Sequence, residues 1–286
     1  MKHIAFIGVG NMAGAILQGI TAESCPVRIP FEHITLFDIS EEKLAPYRAR
    51  GCRIAASAPD AVAASDTVVL SVKPQQYADV LGEINRSHVS LEGRTFISLA
   101  AGVDTKTIED ALGGGCAVVR TMPNTPLLIG EGMTALCRNK YVSDSAFTEI
   151  TEMFASRGRV AVIDEENMNR IIAVSSSAIA CFYRMIRALS TTVEESALPE
   201  IDEQVLRLSA AQAAVGAAKM VLEKEEFSLD ELIRMVTSYK GTTEQMMLTM
   251  DNEDFDGMMA RAMRACTKRA DELGNDLKKA IASSNA

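Results

Sequence analysis

Residues 4–16 read IAFIGVGNMAGAI, and this stretch decides the fold class. The apolar run His3–Ile7 has the composition of a buried strand and leads directly into a glycine turn that opens a helix. This order of strand, turn and helix is the context in which a G-x-G pattern predicts dinucleotide binding. Gly8 permits the tight turn, Gly10 lets the backbone approach a pyrophosphate, and Ala13 keeps helix and strand close together.

The helix that follows the glycine turn begins at Asn11 and Met12, whose backbone N–H groups find no partner inside the helix. Those groups, and the positive end of the helix dipole, attract the phosphates of a dinucleotide. The alternative is a glycine turn with no ligand. Because strand, turn and helix follow in order, we assign Gly8, Gly10, Asn11 and Met12 to cofactor binding.

Short apolar strands and helical segments continue to alternate as far as residue 163. That order predicts an α/β Rossmann domain over residues 1–163, with a doubly wound and mainly parallel sheet. Two weaker strand patterns, Gly132–Cys137 and Arg159–Ile163, are expected to close the sheet at one edge. The other predicted strands are His3–Ile7, His33–Phe37, Val68–Val72, Thr95–Leu99 and Cys116–Val119, and the predicted helices are Asn11–Gly19, Glu41–Arg50, Gln75–Ile84 and Thr105–Leu112.

From residue 164 onward the pattern is helical throughout. Apolar side chains recur every three or four residues in Ile179–Val193 and again in Val205–Leu222. We therefore predict an all-α domain over residues 164–286. Its alanine-rich segment Ala210–Ala218 offers small side chains that let a second helix approach closely, so we expect an interface there.

Composition excludes several classes of partner. The net charge is −9, the pI is near 5.0, and no basic run could follow a phosphate backbone, so we expect no nucleic acid. The six cysteines form no CxxC pair and the three histidines lack ligand spacing, which predicts reduced thiols and no metal. The chain shows no cleavage site and no apolar run of roughly 20 residues, so we expect a cytoplasmic protein with no membrane partner.

Asp38 stands at the end of the second predicted strand, near the spacing at which an acidic residue meets the adenosine ribose. A carboxylate there accepts hydrogen bonds from the 2′- and 3′-hydroxyls and repels a 2′-phosphate. The neighbours Ile39 and Ser40 provide no arginine to hold such a phosphate. The alternative is a turn or helix-capping Asp ahead of Glu41. We assign Asp38 to cofactor binding and expect NADH to be preferred over NADPH.

A dinucleotide fold alone does not identify a substrate, so that inference depends on four motifs, which follow one another along nearly the whole chain. They are Gly8–Ile16 (GVGNMAGAI), Ser71-Val72-Lys73-Pro74, the pair Ala100-Ala101-Gly102 and Met122-Pro123-Asn124-Thr125-Pro126, and Ser238 followed by Gly241-Thr242-Thr243. Together these motifs resemble those of the pyrroline-5-carboxylate reductase family.

The second and third motifs follow predicted strands, and strand C-termini in an open α/β sheet point at the bound ligand. The resemblance and this placement together assign them to the coenzyme rim. The alternative for each motif alone is a proline turn that closes a strand. The rim residues are Ser71, Val72, Lys73, Pro74, Ala101, Gly102, Pro123 and Asn124.

The resemblance implies reduction of the C=N bond of 1-pyrroline-5-carboxylate, or of a closely related cyclic imino acid, to give L-proline with hydride from NAD(P)H. It also implies that Ser238, Gly241 and Thr242 hold the substrate carboxylate and that Thr243, as the catalytic residue, hydrogen-bonds the ring nitrogen. The alternative for this loop is a helix N-cap, and both roles are compatible. In the family the helical domains form homodimers or larger assemblies, which we expect here.

The chain departs from the family pattern in its helical half. Ser176, Ile179 and Cys181 replace Gly, Pro and Tyr, while Arg187 and Thr191 stand where an acid is usual. Tyr239 and Lys240 replace Pro-Gly in the substrate loop. If position 240 needs a positive φ, lysine costs about 1–2 kcal/mol there.

Lys240 is a further candidate for binding the substrate anion, because its ammonium group replaces a glycine in the loop. Two other functions stay open. One is a regulatory protein that binds the nucleotide without reductase activity. The other is a β-hydroxyacid dehydrogenase, a family that relies on a helix-borne lysine early in its second domain, where residues 170–180 have none.

Overall fold

The computed structural model describes residues 1–191 and 201–284. Contacts divide the chain into two compact units: Met1–Ser176 together with the chain from Cys266 onward, and Ser177–Ala265. We call them unit 1 and unit 2. The division falls later than the predicted boundary at residue 163, because one more helix and the end of the last helix pack within unit 1.

In the described part of unit 1, eight strands form one sheet in the order β3-β2-β1-β4-β5-β6-β7-β8. All neighbours are parallel except β6 and β7. This confirms the doubly wound α/β prediction and the two strands at its edge. The strands are β1 (Ile4–Ile7), β2 (Ile34–Phe37), β3 (Arg53–Ile54), β4 (Thr67–Leu70), β5 (Thr95–Ser98), β6 (Ala117–Pro123), β7 (Gly132–Arg138) and β8 (Gly158–Val162).

Both faces of the sheet are covered, which explains why its central strands read as continuous apolar runs. Every residue of β1 and of β4 is buried. Phe6 of β1 packs in a core with Leu17 and Phe154, and Ile7 packs in a second core with Tyr77 and Leu81. Because strand order reverses between β1 and β4, the segments after these strands flank the switch point of the sheet.

Two helices and one short strand of unit 1 have no counterpart in the predicted elements: α3, α6 and β3. The starts of the two helices are marked by serine caps: the Ser57 and Ser143 hydroxyls each accept a backbone N–H in the first turn of the helix that follows. The helices of unit 1 are α1 (Asn11–Ile20), α2 (Glu41–Arg48), α3 (Ala58–Ala63), α4 (Tyr77–Arg86), α5 (Thr105–Ala111), α6 (Asp144–Ala155) and α7 (Met168–Ser175), together with residues 266–284 of the last helix.

The described residues of unit 2 are helical, as predicted, and many of their apolar side chains are exposed. Leu208 is 70% exposed and Tyr183 is 64% exposed. By length and composition, the helical stretches Glu165–Thr191 and Glu203–Glu223 could each cross a membrane, although neither is an unbroken apolar run. The helices are α8 (Ala178–Thr191), α9 (Glu203–Glu223), α10 (Leu229–Val236), α11 (Thr242–Asn252) and the start of α12 (Phe255–Ser284).

Candidate active site

The glycine turn after β1 has the geometry that the sequence predicts. Gly8 has φ +94°, and a Cβ there would lie 2.8 Å from the carbonyl carbon of Ser71 and 2.8 Å from the nitrogen of Val72. Any larger residue would push the turn away from the end of β4. The Ser71 hydroxyl donates to the Gly8 carbonyl at 2.6 Å, which ties the two segments at the switch point together.

Gly10 and the start of α1 leave room for a ligand. A Cβ on Gly10 would meet nothing within 4 Å, and no side chain caps the first N–H groups of α1. Asn11 is exposed and Met12 is half-buried. Uncapped N–H groups and the dipole of a ten-residue helix can bind a pyrophosphate, so this part of the chain fits a dinucleotide.

Asp38, directly after β2, bonds to the chain around it. One carboxylate oxygen accepts the N–H of Val9 at 2.7 Å and the other accepts the N–H of Ser40 at 2.8 Å. The Lys43 ammonium lies 3.6 Å away, and the Asp38 side chain is only 8% exposed. Asp38 therefore stabilises the turn that follows β2 and also places a negative charge beside the glycine turn.

The rest of the predicted rim lies at the same edge of the sheet, because β1, β4, β5 and β6 run parallel and end there. Lys73 is exposed, whereas Val72, Pro74 and Ala101 are half-buried. Gly102, Pro123 and Asn124 are buried within unit 1.

The Asn124 side chain makes contacts that the sequence does not reveal. Its amide NH₂ donates to the carbonyl of Ser175 at 3.1 Å, and its amide oxygen accepts the N–H of Met133 at 2.9 Å. Ser176 adds a bond from its hydroxyl to the carbonyl of Pro123 at 3.4 Å. Asn124 thus joins β7 to the end of α7, and the serine that replaces the family glycine takes part in the same junction.

In unit 2, the loop Ser238–Thr243 leads directly into α11. Gly241 is the residue before the first helical turn, and no side chain caps the helix start. Its N–H donates to the Ser238 carbonyl at 2.9 Å, and a Cβ on Gly241 would lie 2.9 Å from that same oxygen. Thr242 is exposed and Thr243 is half-buried at the start of the helix. Free N–H groups and hydroxyls at a helix N-terminus suit a carboxylate.

Lys240 has φ +56°, so the condition under which lysine is strained at position 240 is met. Its backbone N–H donates to the Glu244 carboxylate at 2.8 Å, and its ammonium lies 5.3 Å from the centre of the Tyr239 ring. The ammonium has no carboxylate partner among the described residues. Tyr239 is 83% exposed, so the pair projects from the loop.

Sequence reasoning missed a buried polar network near the end of β5. Arg120, whose side chain is 3% exposed, lies 3.8 Å from Glu165 and donates to Asn169. Burial lowers the pKa of Arg120, while the neighbouring acids act in the opposite direction. The only sequence signal is an arginine inside an apolar strand pattern, because its partners lie more than forty residues away.

Four of the six cysteines lie in the interior of unit 1. Cys25, Cys52, Cys116 and Cys137 are buried and free. Burial raises the pKa of Cys52 and of Cys116 to about 11, and that of Cys137 to about 12, so these thiols stay protonated near neutral pH. Within residues 1–191 and 201–284, no three His, Cys, Asp or Glu residues are grouped so that they could hold a metal ion.

Comparison with known proteins identifies the family. The chain is 35% identical to the pyrroline-5-carboxylate reductase of Haemophilus influenzae over 273 residues, which are 95% of this chain and 97% of that protein. The chain belongs to the pyrroline-5-carboxylate reductase family. The enzyme of that name from Escherichia coli is 32% identical over 273 residues, covering 95% and 98% of the two chains.

Two family models match separate parts of the chain. Residues 165–273 match the model described as pyrroline-5-carboxylate reductase dimerisation. Residues 3–102 match the model described as NADP oxidoreductase coenzyme F420-dependent. The chain is therefore an NAD(P)-dependent oxidoreductase of this family, and the recognition made from its motifs is confirmed.

Solved structures agree in fold. A pyrroline-5-carboxylate reductase from Coxiella burnetii superposes with a TM-score of 0.82 at 31% identity, covering 95% of this chain and 98% of that one. The pyrroline carboxylate reductase of Plasmodium falciparum, solved with NADP bound, has a TM-score of 0.83 at 23% identity, covering 96% and 98%. At that identity the second likeness supports the fold alone.

Proposed function

We propose that the protein transfers hydride from a nicotinamide coenzyme to the C=N carbon of 1-pyrroline-5-carboxylate, giving L-proline. The observation that carries the proposal is the family assignment over 95% of the chain, together with the glycine turn and the loop Ser238–Thr243 in their expected local geometry. The bound coenzyme supplies the hydride. The chain supplies binding, orientation and control of the proton on the ring nitrogen.

We assign the coenzyme to unit 1. Gly10 and the uncapped start of α1 leave space and N–H groups for the pyrophosphate, with Asn11 and Met12 in that first turn. The rim residues Ser71, Val72, Lys73, Pro74, Ala101, Gly102, Pro123 and Asn124 belong to the nicotinamide side. For Asn124, whose side chain is already bonded to two backbone groups, the backbone is the part free to contact a ligand.

NADH is the preferred coenzyme in this proposal. The Asp38 carboxylate is fixed by the N–H groups of Val9 and Ser40, so its negative charge stays beside the glycine turn. A 2′-phosphate placed there would be repelled, whereas ribose hydroxyls can share the remaining lone pairs. Lys43, whose side chain is 52% exposed, offsets only part of that charge.

We assign the substrate carboxylate to the start of α11. The N–H groups that follow Gly241 and the hydroxyls of Ser238 and Thr242 can hold it, and the helix dipole favours its charge. Lys240 adds an ammonium group in the same loop. Thr243 would hydrogen-bond the ring nitrogen; a threonine hydroxyl is a poor acid in bulk water, so we give it an orienting or proton-relay role.

Replacement of Thr243 by valine tests the substrate assignment. The change removes one hydrogen bond and nearly keeps the shape, so kcat/KM for pyrroline-5-carboxylate should fall by about 10- to 150-fold. NADH affinity, measured by fluorescence titration, should hardly change. Thr249→Val in the same helix is the control, because its hydroxyl bonds only to a carbonyl one turn earlier.

Two results would contradict the proposal at different levels. If Thr243→Val matches wild type in turnover, the role of Thr243 is wrong. If wild type binds NADH but reduces no cyclic imine, the reductase function is wrong and the regulatory alternative replaces it.

We further propose that unit 2 forms a homodimer. Its family model is a dimerisation segment, and α8 and α9 expose large apolar side chains along their length. A second copy of the chain would cover these faces, which accounts for their apolar character without a lipid partner.

A further inference from the structure

The loop that follows β5 touches the last helix, α12, through backbone atoms. Gly102, in this loop, has φ +81°, and a Cβ on it would lie 2.8 Å from the nitrogen of Gly274. Conversely, a Cβ on Gly274 would lie 2.8 Å from the carbonyl carbon of Gly102. Each glycine therefore allows the other backbone to approach, and a side chain at either position would force the loop and the helix apart.

Gly274 needs this explanation because it stands inside a 30-residue helix. Glycine is the poorest helix former apart from proline, so alanine would serve the helix better at this position. The close approach to Gly102 is the feature of the structure that requires a residue without a Cβ.

An ion pair holds the same loop to the next turn of α12. The Lys278 ammonium lies 2.6 Å from the Asp104 carboxylate. Asp104 also accepts the N–H of Thr107 at 2.7 Å and so caps α5. The loop is thus held between the start of α5 and the last helix.

A second chain of contacts leads from the loop back to α12. Thr105 donates its N–H and its hydroxyl to Glu165 at 2.7 and 2.8 Å. Glu165 is paired with buried Arg120, Arg120 donates to Asn169, and Asn169 donates to Asp271 of α12 at 2.6 Å. Most of the residues that make these contacts line a cleft of about 540 Å³.

We propose that Asp271, Gly274 and Lys278 of α12 are positioning residues for the coenzyme: they fix the loop that carries Ala101 and Gly102, and thereby set the affinity for the nicotinamide coenzyme. The proposal rests on the coenzyme assignment made above. All three residues belong to the helix, and in this proposal they act on the coenzyme through the loop.

The first test is Gly274→Ala. The added methyl group displaces the loop, so the Kd for NADH and the KM for NADH should rise about 10- to 100-fold. Gly82→Ala in α4 is the matched control, because a Cβ there meets only the end of the flexible Arg86 side chain. The control should keep wild-type coenzyme affinity.

The second test stands even if Gly274→Ala fails to fold. Lys278→Met removes the ion pair to Asp104, and the KM for NADH should rise about 2- to 5-fold with little change in the KM for the imine. Lys278→Arg should restore the KM. Lys279→Met, one position further on the same helix, is the control for the loss of charge. Circular dichroism and thermal melting verify that each variant is folded.

The possible outcomes distinguish a failure of the positioning role from a failure of the coenzyme assignment. If wild type binds neither NADH nor NADPH, the coenzyme assignment fails. If wild type binds and turns over, but folded Gly274→Ala and Lys278→Met match Gly82→Ala and Lys279→Met in coenzyme affinity, the positioning role of α12 is wrong. A loss of thermal stability with an unchanged KM for NADH would also overturn it, because that is what a merely structural contact predicts.

Discussion

Lys240 has a backbone conformation in the left-handed region, with φ +56°. The family pattern has glycine at this position, and glycine adopts a positive φ without strain. The placement of the ammonium over the Tyr239 ring, 5.3 Å from its centre, follows from the local turn and from the neighbouring Pro-to-Tyr change.

Replacing Lys240 by glycine should therefore stabilise the protein. A non-glycine residue in the left-handed region costs about 1–2 kcal/mol, which is partly offset by the greater freedom of unfolded glycine. We expect a net gain of about 1 kcal/mol in the free energy of unfolding, measured by denaturant titration. Lys224→Gly is the control, because Lys224 has φ −118° and should gain nothing. An equal response of both variants would contradict the strain argument.

For Asp38 and Asn124, the position could be predicted from the sequence but the side-chain contacts could not. Both were expected near the coenzyme from their positions after strands, and both lie at that edge of the sheet. Their side-chain partners could not be predicted, because Val9, Met133 and Ser175 are brought to them only by the folded sheet and by α7.

The charge of Asp38 gives a prediction about coenzyme choice. Because the carboxylate is fixed beside the glycine turn, kcat/KM with NADH should exceed that with NADPH. Steady-state rates with both coenzymes at several concentrations measure the ratio. Asp38→Asn should reduce the preference, since it keeps an acceptor and removes the negative charge. Equal efficiency with the two coenzymes in wild type, or a preference for NADPH, would mean that Asp38 does not face the ribose.

Hydrophobic patterns predicted every strand of the sheet except β3, including the weakly patterned β7 and β8, but they missed helices α3 and α6. The six-residue helix α3 and the two-residue strand β3 are too short to show a period. Helix α12 was predicted as helical, but its return to unit 1 was not. The relevant signal, Gly274 inside a long helix, becomes informative only when Gly102 is known to lie opposite.

The Asp104 carboxylate at the start of α5 should make the free energy of unfolding depend on pH in the acidic range. Burial raises the pKa of Asp104, but the hydrogen bonds from Lys278 and Thr107 together lower it by more. The pKa of Asp104 therefore lies below its ordinary value of 3.8. A carboxylate with a lowered pKa stabilises the fold above its unfolded pKa, and this contribution is lost as the pH falls through the folded value.

Asp104→Asn isolates this effect, because asparagine still caps a helix but carries no charge. Near pH 7 the variant should be less stable than wild type by about 1 kcal/mol. As the pH falls below about 4, the two proteins should converge. Urea denaturation at a series of pH values measures the difference. A gap that stays constant down to about pH 3 would show that the Asp104 charge contributes nothing.

The chain consists of an α/β part and a helical part, as predicted, and the contacts place the division between them at Ser176 and Cys266. The predicted boundary at residue 163 followed the end of the strand pattern. Packing decides the actual division, because α7 buries Met168 and Ile172 in unit 1 through contacts that no local pattern records.

The exposed apolar side chains of unit 2 predict an obligate homodimer at least. A chain whose surface keeps Val205 and Leu208 more than half exposed is expected to bury them against a second copy. Leu208→Glu would then place a charge in an apolar interface and raise the dimer dissociation constant by more than about 100-fold. Light scattering and sedimentation at micromolar concentration measure the mass of the assembly.

Ile129→Glu is the control: it lies at a 78% exposed position in unit 1 and should leave the dimer intact. A monomeric wild type would refute the assembly, whereas a dimeric Leu208→Glu would place the interface on another face of the molecule.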